Sequence, residues 1–148
     1  MNNDLDAVVL VHPDYFLSDM STIYPFNLQY INSLYKLVAK PTIPIVSIHS
    51  DGSCLPDDIY RRVDSISPAA YFEPDILLSY LENRLSKPIT ELRVGLGGMF
   101  GNACVASFGQ RAFESYQGQS GRGGACGNKS VIKGKQAILL EEICRFTR

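Results

Sequence analysis

A thiol, two imidazoles and two carboxylates are the side chains whose types and positions in this sequence suit bond-making chemistry. Cys104 follows a glycine-rich stretch, Gly95-Leu96-Gly97-Gly98-Met99-Phe100-Gly101-Asn102-Ala103, and opens an amphipathic run. That order places the sulfur in the first turn of a helix, beside unpaired backbone N–H groups and the positive end of the helix dipole, which favour thiolate over thiol. The same N–H groups, with the turn through Gly98, Gly101, Asn102 and Ala103 ahead of them, can hold the oxyanion that forms when the sulfur attacks a carbonyl. His12 with Asp14, and His49 with Asp51, each come just after a short apolar run. A cysteine, a histidine and a carboxylate that orients the imidazole are the minimum set for thiol-based acyl transfer.

Each residue also has a plainer reading. A cysteine near a helix start serves as a small buried apolar residue in many folds, and a histidine after a strand can be an ordinary loop residue. The glycines between Gly95 and Gly101 suggest a phosphate-binding turn. Their spacing departs from G-x-G-x-x-G, since Phe100 stands where the last glycine belongs and Gly101 comes one residue late. A turn needing positive φ, or a close approach of helix to sheet, fits them better. The four cysteines, Cys54, Cys104, Cys126 and Cys144, contain no C-x-x-C pair and match no zinc-site spacing. They read as free thiols, two disulfides being the alternative. With two histidines in the chain, neither a metal nor any other cofactor is expected. Tyr15, Phe16, Tyr24 and Phe26 either wall a pocket or belong to the core.

The elements that must position these groups follow from hydrophobic periodicity. Ala7 to Val11 is a continuous β-branched run suited to a strand covered on both faces. Phe26 to Lys40 sets Ile31, Leu34, Tyr35 and Val38 on one helical face, with Pro41 just beyond. Ile43 to Ile48 reads as a second strand, and Asp57 to Ile66 as a short helix carrying Ile59, Val63 and Ile66 in register. Pro74 fits the first turn of a helix that buries Leu77, Leu81 and Leu85 and stops before Pro88. Glu91 to Leu96 is a third strand, and the helix after it carries Val105, Phe108, Ala112 and Tyr116 inward. Gly118 to Ser130 is a glycine-rich loop, and Lys135 to Phe146 reads as a closing helix with Ile138, Leu139, Ile143 and Phe146 apolar.

Strands separated by helices give parallel βαβ units. The expected fold class is a three-layer α/β/α, Rossmann-like domain with a mainly parallel central sheet, spanning 1–148 as a single domain. Ligands of such sheets bind beyond the carboxyl ends of the strands, where His12, His49 and Cys104 all fall. With 148 residues, 45% of them hydrophobic and 20% charged, and a net charge of −1, the chain offers no electrostatic reason to expect nucleic acid as a partner. No apolar run approaches the roughly 18 residues of a membrane span. The acidic start MNNDLDAVVLV differs from a signal peptide, so a cytoplasmic protein acting on a small-molecule substrate or ligand is expected.

The run Gly98-x-x-x-x-x-Cys104-Val105, with Ala112 eight residues after the cysteine, resembles the G…CV…A signature of isochorismatase-like cysteine hydrolases. AVVLVHPDYF resembles that family's first strand, and Ala69-Ala70-Tyr71-Phe72 followed by Asp75 to Leu85 resembles its S-x-F…L…L segment. The resemblance implies a parallel-sheet α/β fold, commonly oligomeric, and a cysteine nucleophile acting on a small amide or ester. Amidase members of the family use an Asp and a Lys beside the cysteine. Here Leu10 stands at the Asp position, no lysine lies between Arg62 and Ser67, and the glycine-rich segment replaces a strand. A working site must therefore take its base from His12 or His49, with Asp14 or Asp51 behind it. Val46-Ser47-Ile48-His49-Ser50-Asp51-Gly52 also looks somewhat like caspase-like cysteine peptidases, which set His and Cys at neighbouring strand ends. A catalytically inactive α/β module that binds a ligand or partner in the same cleft is the third reading.

Overall fold

The computed structural model describes residues 5–13, 24–39, 43–49, 55–88, 91–99, 104–113, 116–117 and 136–145. Six strands form one sheet in the order β3-β2-β1-β4-β6-β5, with every described pairing parallel. In chain order these are β1 (Ala7–Val11), β2 (Ile45–Ile48), β3 (Asp64–Ile66), β4 (Arg93–Met99), β5 (Tyr116–Gln117) and β6 (Gln136–Arg145). The helices are α1 (Tyr24–Ala39), α2 (Asp57–Tyr60), α3 (Pro74–Leu85) and α4 (Cys104–Ala112), with a 3-10 turn at Pro68–Tyr71.

The alternation of side chains along the strands decides which helices cover which face. Ala7, Val9, Val11, Val46, Ile48, Val94 and Leu96 point to the face packed by Tyr71, Leu77, Leu81, Val105 and Phe108, from the 3-10 turn, α3 and α4. Val8, Leu10, Ile45 and Met99 point to the opposite face, packed by Tyr30, Leu34, Leu37, Val38 and Ile59 from α1 and α2. The result is the three-layer α/β/α arrangement expected of a chain whose strands are apolar on both sides.

Local chemistry sets the ends of the elements that matter for the site. Ser67 caps the 3-10 turn by accepting the Ala69 N–H at 3.2 Å, and Pro68 occupies its first position. Pro74 opens α3, where its missing N–H costs no helical bond. Ser86 closes α3 in a left-handed conformation (φ +52°), its N–H donating to Glu82 O at 3.0 Å. Asp6, just before β1, ties that strand to β4: its carboxylate accepts the Arg93 N–H at 2.9 Å and the Lys87 ammonium at 3.0 Å.

Four expectations are corrected by these elements. Asp57 to Ile66 is a single helical turn followed by the edge strand β3, and Gln136 to Arg145 is a strand where a helix was expected. Tyr116 belongs to β5 rather than to the helix before it. The buried stripe of α1 is Tyr30, Leu34, Leu37 and Val38, whereas Tyr35 turns outward and donates to the Asp58 carboxylate at 2.9 Å. Within the β4–β6 ladder the register slips between Leu96, paired with Leu139, and Gly98, paired with Cys144. The slip carries Glu141 out of the ladder to the solvent.

Candidate functional site at the switch point of the sheet

The chain winds outward from β1 through β2 to β3, then returns to place β4 on the other side of β1. The reversal makes the gap between the carboxyl ends of β1 and β4 the switch point of the sheet, where ligands of doubly wound folds bind. His12 leaves β1 at this point, and Gly98 lies near the end of β4, level with Val11 in the ladder. Cys104 opens α4 a few residues later.

Strand alternation alone would send His12 to the same face as Val8 and Leu10. Its backbone instead turns left-handed, with φ +47°, an uncommon conformation for a side-chain-bearing residue. The His12 N–H still donates to Ile48 O at 2.8 Å, which anchors the turn to β2. The turn redirects the imidazole to the Cys104 face, where its ring lies 4.6 Å from that of Tyr71. A left-handed residue at a strand end, turned to the face that carries Cys104, is the kind of backbone outlier that clusters at functional sites.

Tyr71 is the hub. Its ring packs on Phe108 of α4 at 5.8 Å and meets Phe72 edge-on at 4.9 Å. The Arg111 guanidinium sits 4.5 Å from the ring centre, and an Arg111 Nη donates to the Tyr71 carbonyl. The Cys104 thiol neighbours the Tyr71 hydroxyl. Burial first, and then the neighbouring Cys104, push the Tyr71 hydroxyl above its ordinary range, and Arg111 draws it part of the way back. Tyr71 therefore stays a neutral O–H donor at physiological pH.

Arg111 is placed by helix geometry. It stands seven residues after Cys104, so both lie on one face of α4 two turns apart. Its guanidinium also lies 5.9 Å from the rings of Phe72 and Phe108. Its Nε is buried without a hydrogen-bond partner among the described residues, an omission that costs about 1–3 kcal/mol.

His49 goes elsewhere. It follows Ser47 by two residues, hence shares its face, and its ring stacks on Tyr60 of α2 at 5.1 Å. Its Nε2 hydrogen-bonds Ser65 Oγ at 2.8 Å, and Nδ1 lies 3.4 Å from Ser47 Oγ. The imidazole is only 6% exposed and sits on the α1–α2 side of the sheet, opposite α4. Of the expected constellation, then, His12 and Cys104 are brought to one cluster and His49 is not. Asp14, Asp51, Gly101, Asn102 and Ala103 lie outside the described residues, as do Tyr15, Phe16, Cys54, Cys126 and the segment 118–130.

Gly98 adopts φ +120°, and a Cβ there would stand 2.1 Å from the Val11 carbonyl oxygen. Glycine is therefore required for β4 to lie against the end of β1. Cys144, expected in a helix, pairs with Gly98 in β6, its thiol directed to Leu96 O at 3.9 Å. Burial and then this second thiol push the Tyr116 hydroxyl up to about 12.

Reasoning from sequence missed Tyr71 and Arg111. The seven-residue spacing from Cys104 to Arg111 was a usable signal. Tyr71 was visible only as part of the Ala69-Ala70-Tyr71-Phe72 segment, because its approach to Cys104 is a long-range contact. Among the described residues no group of three or more His, Cys, Asp or Glu side chains is arranged to hold a metal ion, and no helix is long and apolar enough to cross a membrane. Comparison of the chain with protein-family models, with curated proteins and with solved structures finds no match.

Proposed function

We propose that the chain is a cysteine-nucleophile hydrolase of a small amide or ester, as the resemblance to isochorismatase-like hydrolases implies. The observation that carries this reading is the placement of Cys104 and His12 on either side of the sheet's switch point, joined through Tyr71. In this reading His12 takes the Cys104 proton and the thiolate attacks the substrate carbonyl, forming a C–S bond while the carbonyl π pair moves to oxygen. The backbone N–H groups of the first turn of α4, which have no acceptor within the helix, hold that oxyanion. Collapse of the intermediate breaks the bond to the leaving amine or alcohol, which takes a proton from His12. Water, deprotonated by His12, then cleaves the thioester and regenerates the thiolate.

His12 replaces the Asp and Lys that the resembled family would use. The caspase-like alternative needs His49 at the sulfur, and that imidazole lies across the sheet, held by Ser47 and Ser65. The remaining alternative is a silent binding module, and it draws on the packing of Cys104 against the core. A cytoplasmic location, a small-molecule substrate and a homo-oligomer complete the proposal. Light scattering that returned a 16.4 kDa particle at all concentrations would reject the oligomer.

The test is a broad amide and ester panel read by turnover and by intact mass. An acyl adduct on Cys104 is expected. Cys104→Ser and His12→Ala should each abolish hydrolysis, with the double variant no worse than either, because nucleophile and base act as a unit. Absence of any adduct or turnover across the panel, or full activity in Cys104→Ser, leaves the binding module as the surviving reading.

A further inference from the structure

The geometry points to a second nucleophilic centre, on the face of the sheet opposite Cys104, where Ser65 is activated by His49 and accepts an acyl group from small activated esters. The hydrolase proposed around Cys104 uses neither residue, so the two centres stand or fall separately.

Strand register builds this centre. In the parallel β2–β3 ladder Ser47 lies level with Ser65, which sets the two hydroxyls side by side. His49 follows Ser47 by two residues and shares its face. The imidazole therefore reaches both serines, with Nδ1 3.4 Å from Ser47 Oγ and Nε2 2.8 Å from Ser65 Oγ. Tyr60 stacks on the ring at 5.1 Å, with the two planes only 17° apart. The buried histidine is thus held in one orientation, while Ser65 remains exposed on the edge strand.

A base within about 2.6–3.2 Å of a hydroxyl, itself oriented by a third group, is the arrangement that activates a serine. Ser65 and His49 meet that distance, and Ser47 is the third group, a positioning residue. With the proton on Nδ1 facing Ser47, Nε2 is the acceptor of the Ser65 O–H. As Ser65 Oγ attacks an ester carbonyl, a C–O bond forms and the hydroxyl proton passes to Nε2. The tetrahedral intermediate then expels the alcohol, which takes that proton from His49 and leaves an acyl-serine. A hydroxyl standing where a carboxylate would orient the base stabilises the imidazolium less. That suits the centre to esters with good leaving groups. The Tyr60 ring, 45% exposed beside the imidazole, offers an apolar wall to the acyl chain.

The experiment uses the full folded chain and an alkyl fluorophosphonate, which forms a serine O–P bond and expels fluoride, with adducts located by peptide mapping. Ser79, exposed on α3, is the internal reference for an ordinary hydroxyl. Ser65 should label at least about 100-fold faster than Ser79, the contribution of a positioned general base. His49→Gln keeps a polar side chain beside Ser65 but takes no proton, and it should remove most of that difference. Ser47→Ala, a small change inside the ladder, should slow Ser65 by roughly 3- to 10-fold and leave Ser79 unchanged. Iodoacetamide labelling of Cys104 in the same samples should not move, because that thiol lies across the sheet. Ser65 labelling no faster than Ser79, or equally fast in His49→Gln, makes the pair a scaffold hydrogen bond and overturns the inference. Slowing of Cys104 together with Ser65 overturns the separation of the two centres. If His49→Gln loses its cooperative melt, Ser47→Ala decides the question, and unchanged Ser65 labelling in that variant overturns the activation.

Discussion

Replacing Gly98 by alanine probes the closest approach of backbone to backbone at the site. The added Cβ would lie 2.1 Å from Val11 O and 2.9 Å from Val11 C and N. All three are main-chain atoms, so no rotamer change relieves the contact. Two costs follow. A side chain at φ +120° is strained by about 1–3 kcal/mol. Parting β1 from β4 at that step loses at least one ladder hydrogen bond, worth about 0.5–1.5 kcal/mol. The sum is about 1.5–4.5 kcal/mol. In urea, with a slope near 1.5 kcal/mol per molar, the unfolding midpoint should fall by about 1–3 M. Gly95→Ala is the control in the same strand: its Cβ meets Leu140 Cδ1 at 2.4 Å and Leu5 Cδ1 at 2.9 Å, both ends of flexible side chains on the α1 face. That overpacking should cost about 1–3 kcal/mol and leave Cys104 labelling unchanged. Because Val11 directly precedes His12, folded Gly98→Ala should also lose the hydrolytic activity proposed for the site. A Gly98→Ala variant within 0.5 kcal/mol of the parent refutes the reasoning.

Two further perturbations separate scaffold from site. His49→Ala should destabilise by about 1–3 kcal/mol, since it empties a buried position and leaves Ser65 without its 2.8 Å partner, yet it should leave the labelling rate of Cys104 intact; a slowed Cys104 would return His49 to the site. For Asp6, burial pushes the carboxyl up, but the Arg93 N–H and the Lys87 hydrogen bond and charge outweigh it, and the net shift is downward. A lowered folded value contributes stability above the unfolded value of about 3.9 and loses it as pH falls through the folded one. The melting temperatures of the parent and Asp6→Asn should therefore differ most near pH 6–7 and converge in acid as the pH falls through the lowered folded value; a gap that widens in acid contradicts the sign.

Much of the fold was legible because burial on both faces writes continuous apolar strands. Ala7 to Val11 and Ile45 to Ile48 read directly, and Pro74 announced α3. The errors share a cause. Ile59, Val63 and Ile66 recur at helical spacing, but Ile59 and Val63 are buried around one turn and Ile66 belongs to a strand. Likewise Ile138, Leu139 and Ile143 fit a helix until Ala137 and Leu139 are seen to face one layer and Ile138 and Leu140 the other. The intervening glutamates are good helix formers, and Glu141 is exposed where the register slips. The site was half legible. That His49 shares a face with Ile45 follows from alternation alone, whereas the left-handed turn at His12 is set by its contacts to β2 and Tyr71 and leaves no trace in the sequence.

The strand order has a consequence for synthesis. β6 lies between β4 and β5, so the ribosome delivers β5 before the strand that joins it to the rest. Until residues 136–145 emerge, the nascent chain has β1 to β4 in place but one side of β4 unpaired. Those backbone donors and acceptors, beside Val94 and Leu96, form an open template for a neighbouring chain. The nascent polypeptide therefore carries its candidate nucleophile on α4 before the last strand, β6, has closed the sheet beside β4. Shielding of that edge, rather than the chemistry of Cys104, sets the risk of misassembly during translation.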